Sequence, residues 1–380
     1  MPPIHPLLNG RMVLGDVPLV FYLLAGYVAM LAAWRNPWIF LPLTMLFWGI
    51  AIITKAQTLP FWMAALILPI VVALFKHSWR TVIFLSIALI GSWMVSQGLI
   101  ALQASLLREI SLSRPPLEGL YQVIAIVPSE YARRSALVVI LYSGLPTLTA
   151  LAYFSWRYIK NFPSLNMGDG HQVVLLSMLV FSGSWFIWFV LLSSGGPRYL
   201  ATPGFVASIF VSALFCDFTG GFRIKNTILR AAHFLQLKDR SAAALRAVFT
   251  VILVGPMVII TCMWSYPAYF STDDSLAQVT TYLNAYTPSG SLVETYESEI
   301  YPFLERPYHY PPDQVYIQLM YRYLQDPHHP IMYDPLAAGP DYLVVGGTAA
   351  AWRLYDEAVA GDEFKLVKEF PRYLVYQRQR

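Results

Sequence analysis

The sequence predicts a polytopic α-helical membrane protein of about eight spans, followed by a small C-terminal extracytoplasmic α/β domain. Three observations predict it. Hydrophobic residues make up 57% of the 380 and charged residues only 13%, about half the charged share of an ordinary soluble domain. The apolar residues fall in runs of membrane-spanning length, which excludes a disordered chain or a disulfide-built secreted scaffold. The charge is divided: residues 1–270 carry 18 Lys/Arg against 7 Asp/Glu, whereas residues 271–380 carry 8 against 15. A basic transmembrane domain over 1–270 and an acidic soluble domain over 271–380 follow.

A spanning helix needs about 20 mostly apolar residues. The segments that qualify are 17–34, 39–54, 58–75, 81–107, 135–158, 173–192, 199–218 and 247–270. The second and third are parted only by TKAQ at 54–57, so they read as a tight hairpin or one re-entrant pair. Cys216 and Cys262 both lie inside apolar runs and read as small core residues.

Basic residues resist translocation, so the more basic set of alternate loops faces the cytoplasm. One set holds 11 Lys/Arg: Arg35, Lys76, Arg80, Arg157, Lys160 and six between 223 and 246. The other holds 7: Arg11, Lys55, Arg108, Arg114, Arg133, Arg134 and Arg198. The first set is therefore expected in the cytoplasm. Both termini and the acidic domain then lie on the outer face of the plasma membrane. Nucleic acid is not an expected partner, because the cations sit at helix ends and form no single basic face.

The pattern beyond 270 alternates helix and strand. Leu276, Val279 and Leu283 have helical spacing over 274–286, TPSGS makes a turn, and SLVETYES reads as a strand. A helix is expected over 313–325, a strand over 342–347, a helix over 349–360, and strands over 364–370 and 373–378. Gly346 and Gly347 lack the rest of a dinucleotide fingerprint.

Ionisable residues at membrane depth or at its rim are costly, and each is a functional candidate. The outer-face set comprises Arg11, Asp16, Lys55, Arg198 and the loop 108–134 with Glu109, Glu118, Glu130, Arg133 and Arg134. An acid among cations at the mouth of a helix bundle suits a substrate with a phosphate and a hydroxyl nucleophile. The cations neutralise phosphate, and the carboxylate takes a proton or holds a metal. Each residue also has a plainer reading. Asp16 can cap the first span, Lys55 can snorkel to the headgroups, Tyr199 can anchor at the interface, and Arg133 and Arg134 can do the same. No zinc-spaced set is formed by His171, His328 and His329, and no nucleophile elbow is present.

The strings RMVLGDVPLVFYLLAGYVA, WGIAIITKAQTLPFW, PRYLATPGFVA, PDYLVVGG and FPRYLVYQR, in this order, resemble the GT-C superfamily of polytopic glycosyltransferases, and within it the bacterial family related to protein O-mannosyltransferases and aminoarabinose transferases. The resemblance implies transfer of a sugar from a polyprenyl-phosphate donor to a hydroxyl acceptor on the outer face, with inversion at the anomeric carbon. It places Asp16 at the family's second acidic position, next to the active site. Lys55 and Arg198, with Tyr199 beside it, match positions that meet the lipid phosphate, Arg11 is a weaker match, and a divalent cation is allowed. The departure is at the front, where such enzymes carry further spans and an acidic first outer loop. The N-terminal spans are therefore expected to be missing: the chain is a fragment, or its start is called late, or the base comes from elsewhere. Two other functions fit the composition, a transporter or flippase of a lipid-linked saccharide and a non-catalytic partner subunit. The absence of a clear internal repeat and of charges at span centres weighs against the transporter.

Overall fold

The computed structural model describes residues 15–106, 125–236, 241–270 and 273–379. Seven of its helices are long and apolar enough to cross a membrane. They are α1 (Asp16–Ala33), α2 (Pro37–Thr54), α3 (Leu59–Phe75), α4 (Trp79–Leu106), α5 (Glu130–Lys160), α6 (Gly170–Leu191) and α7 (Ala201–Thr219). A 3-10 turn, Ala56–Thr58, leads into α3, and another, Pro197–Leu200, leads into α7. An amphipathic helix α8 (Ile224–Leu235) and a 29-residue apolar helix α9 (Ala242–Phe270) complete this part. Helix α9 covers the segment expected as the eighth span.

The expected hairpin or re-entrant pair over 39–75 is not what forms. Pro37 and Pro60 sit in the first turns of α2 and α3, where a missing N–H costs nothing. Lys55 between them is extended, with φ −152° and ψ 101°, so the ladder stops and restarts. Helix α2 then packs on α1 and α4, whereas α3 packs on α6 and α4. Two full helices diverge from one residue. Helix α5 begins five residues before its expected start and contains one π-helical turn, Ile140–Gly144.

The bundle core draws on all seven helices α1 to α7 and includes Leu19, Leu23, Trp48, Trp62, Leu85, Leu151, Phe181, Trp185 and Phe210. Interlocked aromatic edges join the helices: Tyr27 meets Trp48 at 5.3 Å and Trp48 meets Trp62 at 6.0 Å between centroids. Lipid is as apolar as these side chains, so helix association rests on such close packing and on interhelical bonds rather than on exclusion of water. One end of the bundle is tied by Arg80 to the Trp34 carbonyl (2.7 Å), Trp34 to the Gly168 carbonyl (3.1 Å) and Lys76 to the Pro163 carbonyl (2.9 Å). These belong to the loops that carry the larger basic count. Cys216 is half-buried and Cys262 exposed, both as free thiols.

A second compact unit takes in Phe270–Arg380 together with the described residues 125–129. Its elements are α10 (Ser275–Tyr286), β1 (Val293–Thr295), β2 (Tyr308–His309), α11 (Asp313–Leu324), β3 (Tyr342–Val345), α12 (Gly347–Trp352), α13 (Asp356–Ala360), β4 (Phe364–Glu369) and β5 (Leu374–Arg378). The sheet order is β2-β1-β3-β5-β4, parallel from β2 to β3 and antiparallel through β5 and β4. Tyr342 and Val344 pack with Val279 and Leu283 of α10, whereas Leu343 packs with Val315 and Leu319 of α11. The period-2 alternation of one strand thus builds a three-layer α/β/α sandwich. The single helix expected over 349–360 is two short ones, because Arg353 turns left-handed at φ 54° and ends the first.

Two glutamates lie inside this unit. Glu294, fully buried in β1, accepts from Tyr333 (2.5 Å) and Tyr355 (3.0 Å), and His309 Nδ1 stands 2.5 Å from its other oxygen. Glu297 accepts from the backbone N–H groups of Thr348 (2.9 Å) and Ala349 (2.8 Å), at the start of α12. Burial pushes both carboxyls above the ordinary value near 4.5, against the hydrogen bonds, which pull them down. A raised folded pKa means that the folded unit holds more protons than the unfolded chain. The stability that these two groups contribute is therefore fully present below about pH 4.5 and is lost as pH rises through their folded values. Calorimetry between pH 4 and about pH 8 is expected to show this decline, and Glu297→Gln, whose amide oxygen still accepts both N–H groups, to flatten it. An unchanged pH slope in the variant contradicts the assignment.

Candidate functional site

The opposite end of the bundle gathers Asp16, Lys55, Arg198 and Tyr199. Gly15 makes the first approach feasible. Its φ is +73°, and a β-carbon there would stand 3.1 Å from the Thr54 carbonyl oxygen, so the start of α1 abuts the end of α2 directly. Asp16 follows as the first helical residue, and Gly15, not Asp16, holds the cap position. The Asp16 side chain makes no capping bond; it turns instead to Lys55, whose ammonium is 2.5 Å from Oδ1. Thr202 Oγ1, in the first turn of α7, donates to the same oxygen at 3.3 Å. Oδ2 is buried and has no partner among the described residues. The pair is largely enclosed, with side-chain exposures of 17% for Lys55 and 7% for Asp16. Lys55 is therefore held inward by a carboxylate rather than drawn out to headgroups.

The third strand of the site is a turn fixed to α5. Gly195, at φ +74°, lies so close to α5 that a β-carbon would fall 2.6 Å from the Ala132 carbonyl oxygen. Ser135 donates to the Gly195 carbonyl at 3.2 Å, and the Arg133 guanidinium donates to the carbonyls of Val190 and Ser193. Within the turn, Ser193 Oγ accepts from the Gly195 N–H at 3.0 Å and donates to the Phe189 carbonyl at 2.7 Å. Pro197 then opens the 3-10 turn that presents Arg198 and Tyr199. Arg133 is thus a structural fastener, and Arg134 is an exposed partner of Glu130 at 3.4 Å.

Tyr199 is the common neighbour of both cations. The Lys55 ammonium is 5.8 Å and the Arg198 guanidinium carbon 5.0 Å from its ring centroid, and Arg198 Nη2 donates to its hydroxyl at 3.1 Å. Both distances fall in the range where a ring face attracts a cation. Trp188 of α6 braces the ring edge-on at 5.6 Å. The result is a continuous array of carboxylate, ammonium, phenol and guanidinium. Arg11, Glu109 and Glu118 lie outside the described residues.

Chemically, a carboxylate oxygen without a partner among the described residues suits a hydroxyl, and the neighbouring ammonium and guanidinium suit an anion. Among the described residues Asp16 is the array's one acid, an ammonium occupies its Oδ1, and no three His, Cys, Asp or Glu side chains cluster as ligands. Thr202 escaped the sequence reading. Its signal was its place three residues after Tyr199, on the same face of the turn into α7.

No family model matches the sequence, and no curated protein matches it. Among solved structures the chain is similar to the crystal structure of the Archaeoglobus fulgidus oligosaccharyltransferase in the apo form, at 11% identity and a TM-score of 0.45. The match covers 91% of this chain and 54% of that one, so the chain spans about half the length of that protein.

Proposed function

We propose that this chain is a membrane glycosyltransferase, moving a sugar from a polyprenyl-phosphate donor to a hydroxyl acceptor on the outer face of the plasma membrane. The observation that carries the reading is the buried, unpartnered Oδ2 of Asp16 beside two cations that share one tyrosine. In the proposed step the acceptor oxygen bonds to the anomeric carbon while the bond from that carbon to the phosphate oxygen breaks. The hydroxyl proton passes to Asp16 Oδ2, and Lys55 and Arg198 offset the charge on the departing polyprenyl phosphate. A low-dielectric rim strengthens these charge contacts relative to water.

Two measurements test this reading. Single cysteines at positions 16 and 198 are expected to react with an impermeant thiol reagent added outside intact cells, and cysteines between 223 and 236 only after permeabilisation. Labelling of 16 and 198 from different sides ends the proposal. In transfer assays Lys55→Ala and Arg198→Ala are expected to raise KM for the lipid donor by about tenfold or more, with a smaller change for the acceptor. An equal loss for both substrates speaks against phosphate contact.

A further inference from the structure

The C-terminal unit has a concave face that the proposed chemistry does not use. Helix α10 and the edge strand β4 flank a shallow groove of about 600 Å³ that is open to solvent over most of its surface. On the α10 wall the rings of Tyr282 and Tyr286 stack, with centroids 5.4 Å apart and planes at 28°. Tyr286 is 75% exposed, so one face of this ring pair is open. Beside them the Gln278 amide donates to Asp274 Oδ1 at 2.6 Å, which holds a planar amide and a planar carboxylate in fixed register along the wall. Lys368 and Glu369 of β4 close the other side.

The core explains little of this arrangement. Tyr286, Gln278 and Asp274 face outward from α10, whose packing is done by Val279 and Leu283. An open aromatic face next to in-plane hydrogen-bonding groups fits a molecule with an apolar C–H face and a rim of hydroxyls. A pyranose ring has that form: its face lies on the tyrosine, and its vicinal hydroxyls meet the amide and carboxylate edge-on. Two carboxylates against one ammonium disfavour an anionic sugar or an anionic lipid surface. We propose that the groove between α10 and β4 is a binding site for a neutral saccharide, with Tyr286 as its stacking platform. The inference rests on the C-terminal unit alone and is independent of the role given to Asp16.

The test is retention of the full-length protein, in nanodiscs, on an array that displays neutral, amino and anionic oligosaccharides together with extended peptides. Neutral oligosaccharides are expected to retain it. Tyr286→Ala is expected to weaken retention by about tenfold, whereas Tyr286→Phe, which keeps the ring, stays within about threefold of wild type. Gln278→Ala should also weaken it, and Asp16→Asn should leave it unchanged. The proposal is overturned if no neutral glycan is retained, if only peptides or anionic glycans are, or if Tyr286→Ala binds like wild type.

Discussion

Asp16→Asn in the full-length protein is expected to lower the rate of sugar transfer by about 10²–10⁴-fold, with membrane insertion and donor affinity little changed. The substitution preserves size and leaves an amide oxygen in place of Oδ1 to accept from Lys55 and Thr202. What it removes is the proton-accepting capacity of Oδ2, the one oxygen of this carboxylate with no partner among the described residues. The measurement is single-turnover transfer from labelled donor, with donor binding recorded separately. Wild-type turnover in the variant would return Asp16 to a structural ion pair at the head of α1.

Lys55→Met is expected to reduce stability by about 3 kcal/mol, because it leaves a buried carboxylate without its counter-ion. Adding Asp16→Asn to it should restore most of that loss, since no buried charge then lacks a counter-ion. The double variant separates two roles that the single variants confound. If the pair only holds α1 against the end of α2, the double variant regains both thermal stability and transfer. If the carboxylate and the ammonium act on substrate, it regains stability and remains inactive. Unfolding midpoints in lipid, set beside transfer rates for all four forms, give both answers. Recovery of transfer would remove Asp16 and Lys55 from the proposed chemistry.

The membrane architecture was legible because each span is a long apolar run, a property carried by the local sequence. The break at Lys55 was visible as TKAQ, but the divergence of α2 and α3 was not. It depends on which helices each one packs against, and sequence spacing holds no record of that. The same limit explains Thr202, which meets Asp16 across 186 residues, and Arg133, whose expected anchoring at the headgroups is replaced by bonds to two main-chain carbonyls. Asp16, Lys55, Arg198 and Tyr199 were legible as candidates because charges and polar rings at span ends are few. Their mutual arrangement required the fold. In the C-terminal unit, strands β3, β4 and β5 were legible as strand segments, whereas Glu294 at full burial contradicts what a charged residue ordinarily signals. Three partners from distant segments make that burial tolerable.

The turn that carries Arg198 is stapled to α5 through its own backbone, by Arg133, by Ser135 and by the close seat of Gly195. Ordering a free loop costs about 1–2 kcal/mol per residue. Here that entropy is lost once, when the helices assemble, and would not be lost again on binding an anion. On the proposed reading, the orientation of the Arg198 guanidinium is set by α5, so a change in that helix alters anion affinity at a distance.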